Sequence, residues 1–165
     1  MIKRYTPQEI LDWFKLEPLV REGGMFRSVY QSKYKLEDCD ICNAIYLLLN
    51  NDAFSHLHRL QSDEIYHHYY GDPLELLELF PDGTSRVVVL GQNYAEGQVP
   101  QTVMHGGSWH GSRVLSGGEY TFVGTSMSPG FVEGGYEHAD RDELIRLYPD
   151  RKEMIEALTG EVKYF

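Results

Sequence analysis

The sequence predicts an all-β jelly-roll barrel with short N- and C-terminal helices, on three observations. Short runs of alternating apolar and polar residues recur through the middle of the chain. Glycine- or proline-bearing turns separate them, and helix caps occur only near Thr6, Asp140 and Asp150. With 165 residues, 42% of them hydrophobic, one packed core and one domain spanning 1–165 are expected. The barrel is placed at about 25–130 and the C-terminal helices at about 140–159.

Each element has its own signal. Thr6 can cap a helix, Pro7 suits its first turn, Glu9 completes a capping box, and Ile10, Leu11 and Phe14 form its apolar stripe. From 25 to 36 the period becomes two, with Phe26, Tyr30 and Tyr34 on one side, which predicts one long strand. Further strands are expected over 44–49, 54–60, 64–70, 74–80 and 86–90. Between the last two, Pro81-Asp82-Gly83-Thr84 supplies a hairpin turn, because proline presets one dihedral and glycine accepts a positive φ. Strands over 99–104, 109–115 and 120–127 complete the set, the first two separated by Gly106-Gly107. Asp140 with Glu143, and Asp150 with Glu153, then read as two helix starts. Leu144 with Tyr148 and Met154 with Leu158 mark their buried faces, and Gly160 marks the stop.

Charge narrows the function. Fifteen basic against twenty-five acidic residues give a formal charge of -10, and no basic run offers a face for a phosphate backbone, so no nucleic-acid role is expected. No apolar run approaches membrane-spanning length, and Glu9, Asp12 and Glu17 interrupt the first twenty residues. A soluble, cytoplasmic protein is expected. Cys39 and Cys42 form an isolated C-x-x-C unit without a second pair, which reads as two loop thiols.

The candidate site centres on 56–71. In a strand, His56 and His58 would share a face and reach one ion. Glu64, opening the next strand, adds an oxygen donor, and His110 follows a glycine turn that can return it to the same place. Three imidazoles and a carboxylate suit a divalent transition metal: zinc, manganese, iron or nickel. Arg27 is a candidate anchor for an anionic group and Tyr66 a pocket aromatic.

His56-x-His58, Glu64 and Gly71 resemble the first cupin motif. Gly107 and His110 fall where the second motif has its glycine and metal-site histidine, with His105 in place of the usual proline. The chain also resembles a bacterial and fungal cupin branch of unknown biochemical function. The likeness runs in order through Glu22-Gly23-Gly24-Met25-Phe26-Arg27, Ser62-Asp63-Glu64-Ile65-Tyr66-His67 and Gly71-Asp72-Pro73-Leu74-Glu75-Leu76, and later through Gly107-Ser108-Trp109 and Ser128-Pro129-Gly130-Phe131. In that branch an aromatic commonly stands at Met25, tryptophan at Tyr66 and glutamine at His110.

The resemblance implies a cupin double-stranded β-helix whose interior binds a small, sugar-like molecule. Similarity to sugar-epimerase cupins implies His58 as the base, with Glu64 and His67 as further catalytic groups, Arg27 and Tyr66 as ligand-binding ones, and His56, His58, Glu64 and His110 as metal ligands. The alternatives are a non-catalytic binding cupin and a metal-dependent dioxygenase. A homodimer is expected, because cupins commonly pair the long N-terminal strand with a second subunit.

Overall fold

The structure, a computed structural model, describes residues 4–165. It opens with α1 (Pro7–Phe14), where Glu9 N donates to the Thr6 hydroxyl at 3.2 Å and Thr6 N donates to the Glu9 carboxylate at 2.8 Å. This is the expected capping box, satisfying two backbone donors the first turn leaves open. The strands follow as β1 (Glu17–Pro18), β2 (Met25–Gln31), β3 (Lys35–Leu36), β4 (Cys39–Asp40), β5 (Asn43–Asn50) and β6 (Ser55–Arg59). After them come β7 (Glu64–Gly71), β8 (Leu74–Leu79), β9 (Ser85–Leu90), β10 (Gln101–Met104), β11 (Trp109–Val114), β12 (Tyr120–Met127) and β13 (Glu137–His138). The helices α2 (Arg141–Leu147) and α3 (Lys152–Ala157) close the fold.

Two antiparallel sheets face each other, in the orders β1-β2-β5-β12-β7-β10 and β13-β6-β11-β8-β9, and β3 and β4 form a separate hairpin. This is the expected jelly-roll sandwich. The period of two sorts each strand between layers. Leu47, Leu49, Tyr66, Leu74, Leu76 and Val123 fill the interior. Leu57, Leu77 and Leu79 point outward beneath Leu144, Ile155 and Leu158 of the C-terminal segment. Leu48, Tyr120 and Phe122 pack outward against Ile10 at α1.

Two boundaries differ from expectation. The strand predicted over 25–36 ends at Gln31, because its register shifts between Ser28 and Tyr30 and Ser32 N turns to the carbonyl of Cys42 at 2.9 Å. Asp140 caps α2, accepting from Glu143 N at 2.9 Å, but Asp150 caps nothing. Pro149 starts a 3₁₀ turn there and α3 begins only after Arg151. Among the described residues, no helix is long and apolar enough to cross a membrane.

Candidate metal centre and pocket

His58, Glu64 and His110 meet inside the barrel, each buried, with one donor atom from each lying within 4.8 Å of the others. Register places them: His58 on β6 pairs with His110 on β11, and Glu64 opens β7 between β10 and β12. His110 Nε2 lies 3.0 Å from the Glu64 carboxylate. His58 Nδ1 donates to the His56 carbonyl at 2.7 Å, which fixes the tautomer and leaves the Nε2 lone pair free for the cluster.

His56 is not among them. Ser112 pairs with Ser55 while His110 pairs with His58, so His56 and Leu57 together oppose the single residue Gly111. Gly111 makes this bulge possible, since a Cβ there would meet the Ser55 carbonyl at 3.0 Å and Leu57 backbone at 3.1 Å. The extra residue breaks the alternation. His56 instead stacks on His138, ring centroids 3.7 Å apart, beside the outward-facing Leu57.

The other sequence candidates separate the same way. Tyr66 shares the inner face of β7 with Glu64, and its buried hydroxyl, near Ser55 and Glu64, makes no well-formed hydrogen bond among the described residues. Burial, with the nearby Glu64 and Glu22 charges, raises its pKa well above the ordinary phenol value and keeps it protonated. His67 faces the other way, 3.3 Å from the Ser126 hydroxyl and stacked on Tyr69. Arg27 is exposed on the outer side of β2 and reaches the Lys15 carbonyl at 3.4 Å. Cys39 and Cys42 are free thiols in and just after the β3–β4 hairpin.

Sequence reasoning missed Glu22. The segment carrying it is pressed against the barrel: His56 N donates to the Glu22 carbonyl at 2.7 Å, and Gly24 N to the Lys163 carbonyl at 3.0 Å. Gly23 and Gly24 adopt φ of +108° and +74°, and a Cβ on Gly23 would lie 2.3 Å from the Phe54 carbonyl. Ser55 Oγ donates to Glu22 Oε1 at 2.7 Å, and Glu22 Oε2 lies 4.0 Å from His58 Nε2. The signals it left were an acid placed directly before two glycines and its place at the head of the family-like segment 22–27.

The environment splits these groups electrostatically. Burial and then the charge of Glu64 push Glu22 up to about 8. Burial is the largest single influence on Glu64 and opposes its ionisation, but the hydrogen bond and charge of His110, with His58 and Thr125, together hold Glu64 below the ordinary carboxylate range. Burial and then His110 push His58 down to about 3, so its ring is neutral at any working pH. A neutral imidazole and an ionised carboxylate are the protonation states that metal ligation requires. The residues present therefore fit a divalent ion.

A cavity of about 520 Å³ leads to this cluster. Its lining includes Glu22 and the buried Glu64 and Thr125, the apolar Phe26, Ile45, Leu60 and Met127, and the exposed Arg21 and Glu133 with the half-buried Tyr136. Tyr136 stacks on His58 with centroids 5.3 Å apart, while Arg21 covers Tyr136 at 5.6 Å and pairs with Glu133. A second cavity, of about 460 Å³ and lined by Arg4, His68 and Gln92, contains none of the clustered donors.

The family described as "Cupin superfamily (DUF985)" matches residues 8–139. A hypothetical protein from Leishmania major is 29% identical with a TM-score of 0.88, over 95% of this chain and 100% of that one. A protein from Shewanella oneidensis is 30% identical with a TM-score of 0.86, over 93% and 96%. Oxalate decarboxylase of Bacillus subtilis, 18% identical with a TM-score of 0.54 over 89% of this chain and 38% of its own, shares the fold. No curated protein matches the chain.

Proposed function

The chain belongs to the cupin superfamily, in the family described as DUF985, and from that membership we propose a small-molecule enzyme whose barrel holds a divalent metal at His58, Glu64 and His110. The observation that carries the reading is the convergence of three buried donors, His58, Glu64 and His110, beside the cavity. The bacterial oxalate decarboxylase that shares the fold has Mn(II) centres, which is in keeping with an ion at this place in the barrel. A cavity of about 520 Å³ accommodates a sugar-sized molecule, and its apolar walls exclude water around the reacting end.

Activation of a substrate carbonyl, as in an epimerase or isomerase, is the proposed chemistry. A bound divalent ion would polarise the carbonyl oxygen. Tyr66 would donate its buried hydroxyl to the oxyanion that develops, a role that suits a phenol kept protonated. His58, expected from sequence to be the base, is too weakly basic for that task and better placed as a ligand. Two histidines and one carboxylate are also the ligand set of non-haem iron oxygenases, so an iron-loaded chain would move the reading to oxygen chemistry.

The test is metal analysis of the native protein beside a His58→Ala, Glu64→Ala double variant. Native protein is expected to hold about one ion per chain and the variant almost none. Equal, substoichiometric metal in both would defeat the proposal.

A cytoplasmic homodimer is proposed as the working form. Beyond the two residues paired with β1, the outer edge of β2 pairs with no other strand among the described residues, and Val29 and Tyr30 are exposed on it. Light scattering at micromolar concentration is expected to give twice the chain mass; a monomer mass would refute the pairing.

A further inference from the structure

We infer that Glu22 is the fourth protein ligand of the metal centre, taking the place that the bulge in β6 denies to His56. The inference rests on the metal site proposed above. Two independent features carry it: the construction of the segment that delivers Glu22, and the electrostatics of the place to which it is delivered.

Glu22 lies on neither sheet. Its backbone is nevertheless fixed at both ends, through the His56 amide on one side and the Gly23-Gly24 turn on the other, where side chains would collide with Phe54 and Leu49. One carboxylate oxygen is held by the Ser55 hydroxyl at 2.7 Å, and the other faces His58 Nε2 at 4.0 Å. Ser55 and His58 belong to the same bulged strand. The irregularity that turns His56 outward therefore lies between the residue that orients Glu22 and the histidine that Glu22 approaches.

Two carboxylates in an apolar-walled cavity repel each other, and among the described residues Arg21 is the one basic side chain that lines it. Arg21 is committed to Glu133. A divalent cation between Glu22 and Glu64 converts that repulsion into attraction and satisfies both. Two imidazoles and two carboxylates make a harder donor set than three imidazoles and one. Such a set suits a six-coordinate manganese(II) or iron(II) ion, with positions left for a substrate oxygen, better than a closed tetrahedral zinc site.

Cobalt(II) is the probe, because its visible absorption reports coordination number. It is titrated into full-length metal-free wild type, Glu22→Gln and Ser55→Ala. Glu22→Gln is expected to weaken cobalt binding about 10- to 100-fold and to change the absorption band, and Ser55→Ala to weaken it about tenfold by releasing the carboxylate. If Glu22→Gln fails to fold, Ser55→Ala alone decides. Wild-type affinity, within about threefold, and an unchanged band in the variants would overturn the assignment of Glu22 while leaving the three-residue centre intact. Absence of cobalt binding by the wild type would overturn both.

Discussion

Between about pH 5 and about pH 9, metal-free wild type is expected to lose on the order of 4 kcal/mol more stability than Glu22→Gln does. In the unfolded chain Glu22 titrates near the ordinary glutamate value of about 4.3. In the folded chain burial and Glu64 push it up to about 8. Across that interval the folded protein keeps a proton that the unfolded chain releases, so stability falls as pH rises and levels off above the folded value. His58 acts in the opposite sense. Its folded pKa of about 3 lies below the unfolded one, so its contribution is lost as pH falls from about 6.5 toward 3. Comparing urea midpoints of wild type and Glu22→Gln across the range removes most of the shared contribution of His58 and leaves that of Glu22 together with Glu64, whose ionisation is linked to it. Parallel curves would mean that Glu22 ionises normally.

Gly23→Ala is expected to destabilise the protein by roughly 3 kcal/mol, combining positive-φ strain with overpacking. The added Cβ would lie 2.3 Å from the Phe54 carbonyl, a backbone atom that cannot step aside without moving the start of β6. Gly83→Ala is the control, because Gly83 has a comparable φ of +88° and nothing within 4 Å. It should show the strain alone, so the difference between the two urea midpoints measures the collision. Equal losses would show that the Glu22 segment is not pressed on the barrel.

Most of the fold was legible because it is local. The apolar run over 44–49 and the aromatic-rich stretches over 64–70 and 120–127, each bounded by turn residues, announced β5, β7 and β12, which bury one face in the barrel. His58, Glu64 and His110 were legible as well, through the spacing of the first two and the turn before the third. His56 was not. Its orientation depends on a glycine on the neighbouring strand, and cross-strand bulges leave no mark in the bulged sequence. Alternation within β7 was already enough to separate His67 from Glu64 and Tyr66, but family likeness outweighed it. Glu22 was hidden for a different reason: its contribution comes from where an irregular segment lands, and periodicity says nothing about that.

The C-terminal segment supplies no donor to the cavity, yet it braces the strand that does. Leu57 N bonds to the Leu158 carbonyl, Ala139 N to the Leu57 carbonyl, and Gly24 N to the Lys163 carbonyl. Affinity tags, fusion partners or trimming near residue 163 would therefore be felt at His58 and Glu22.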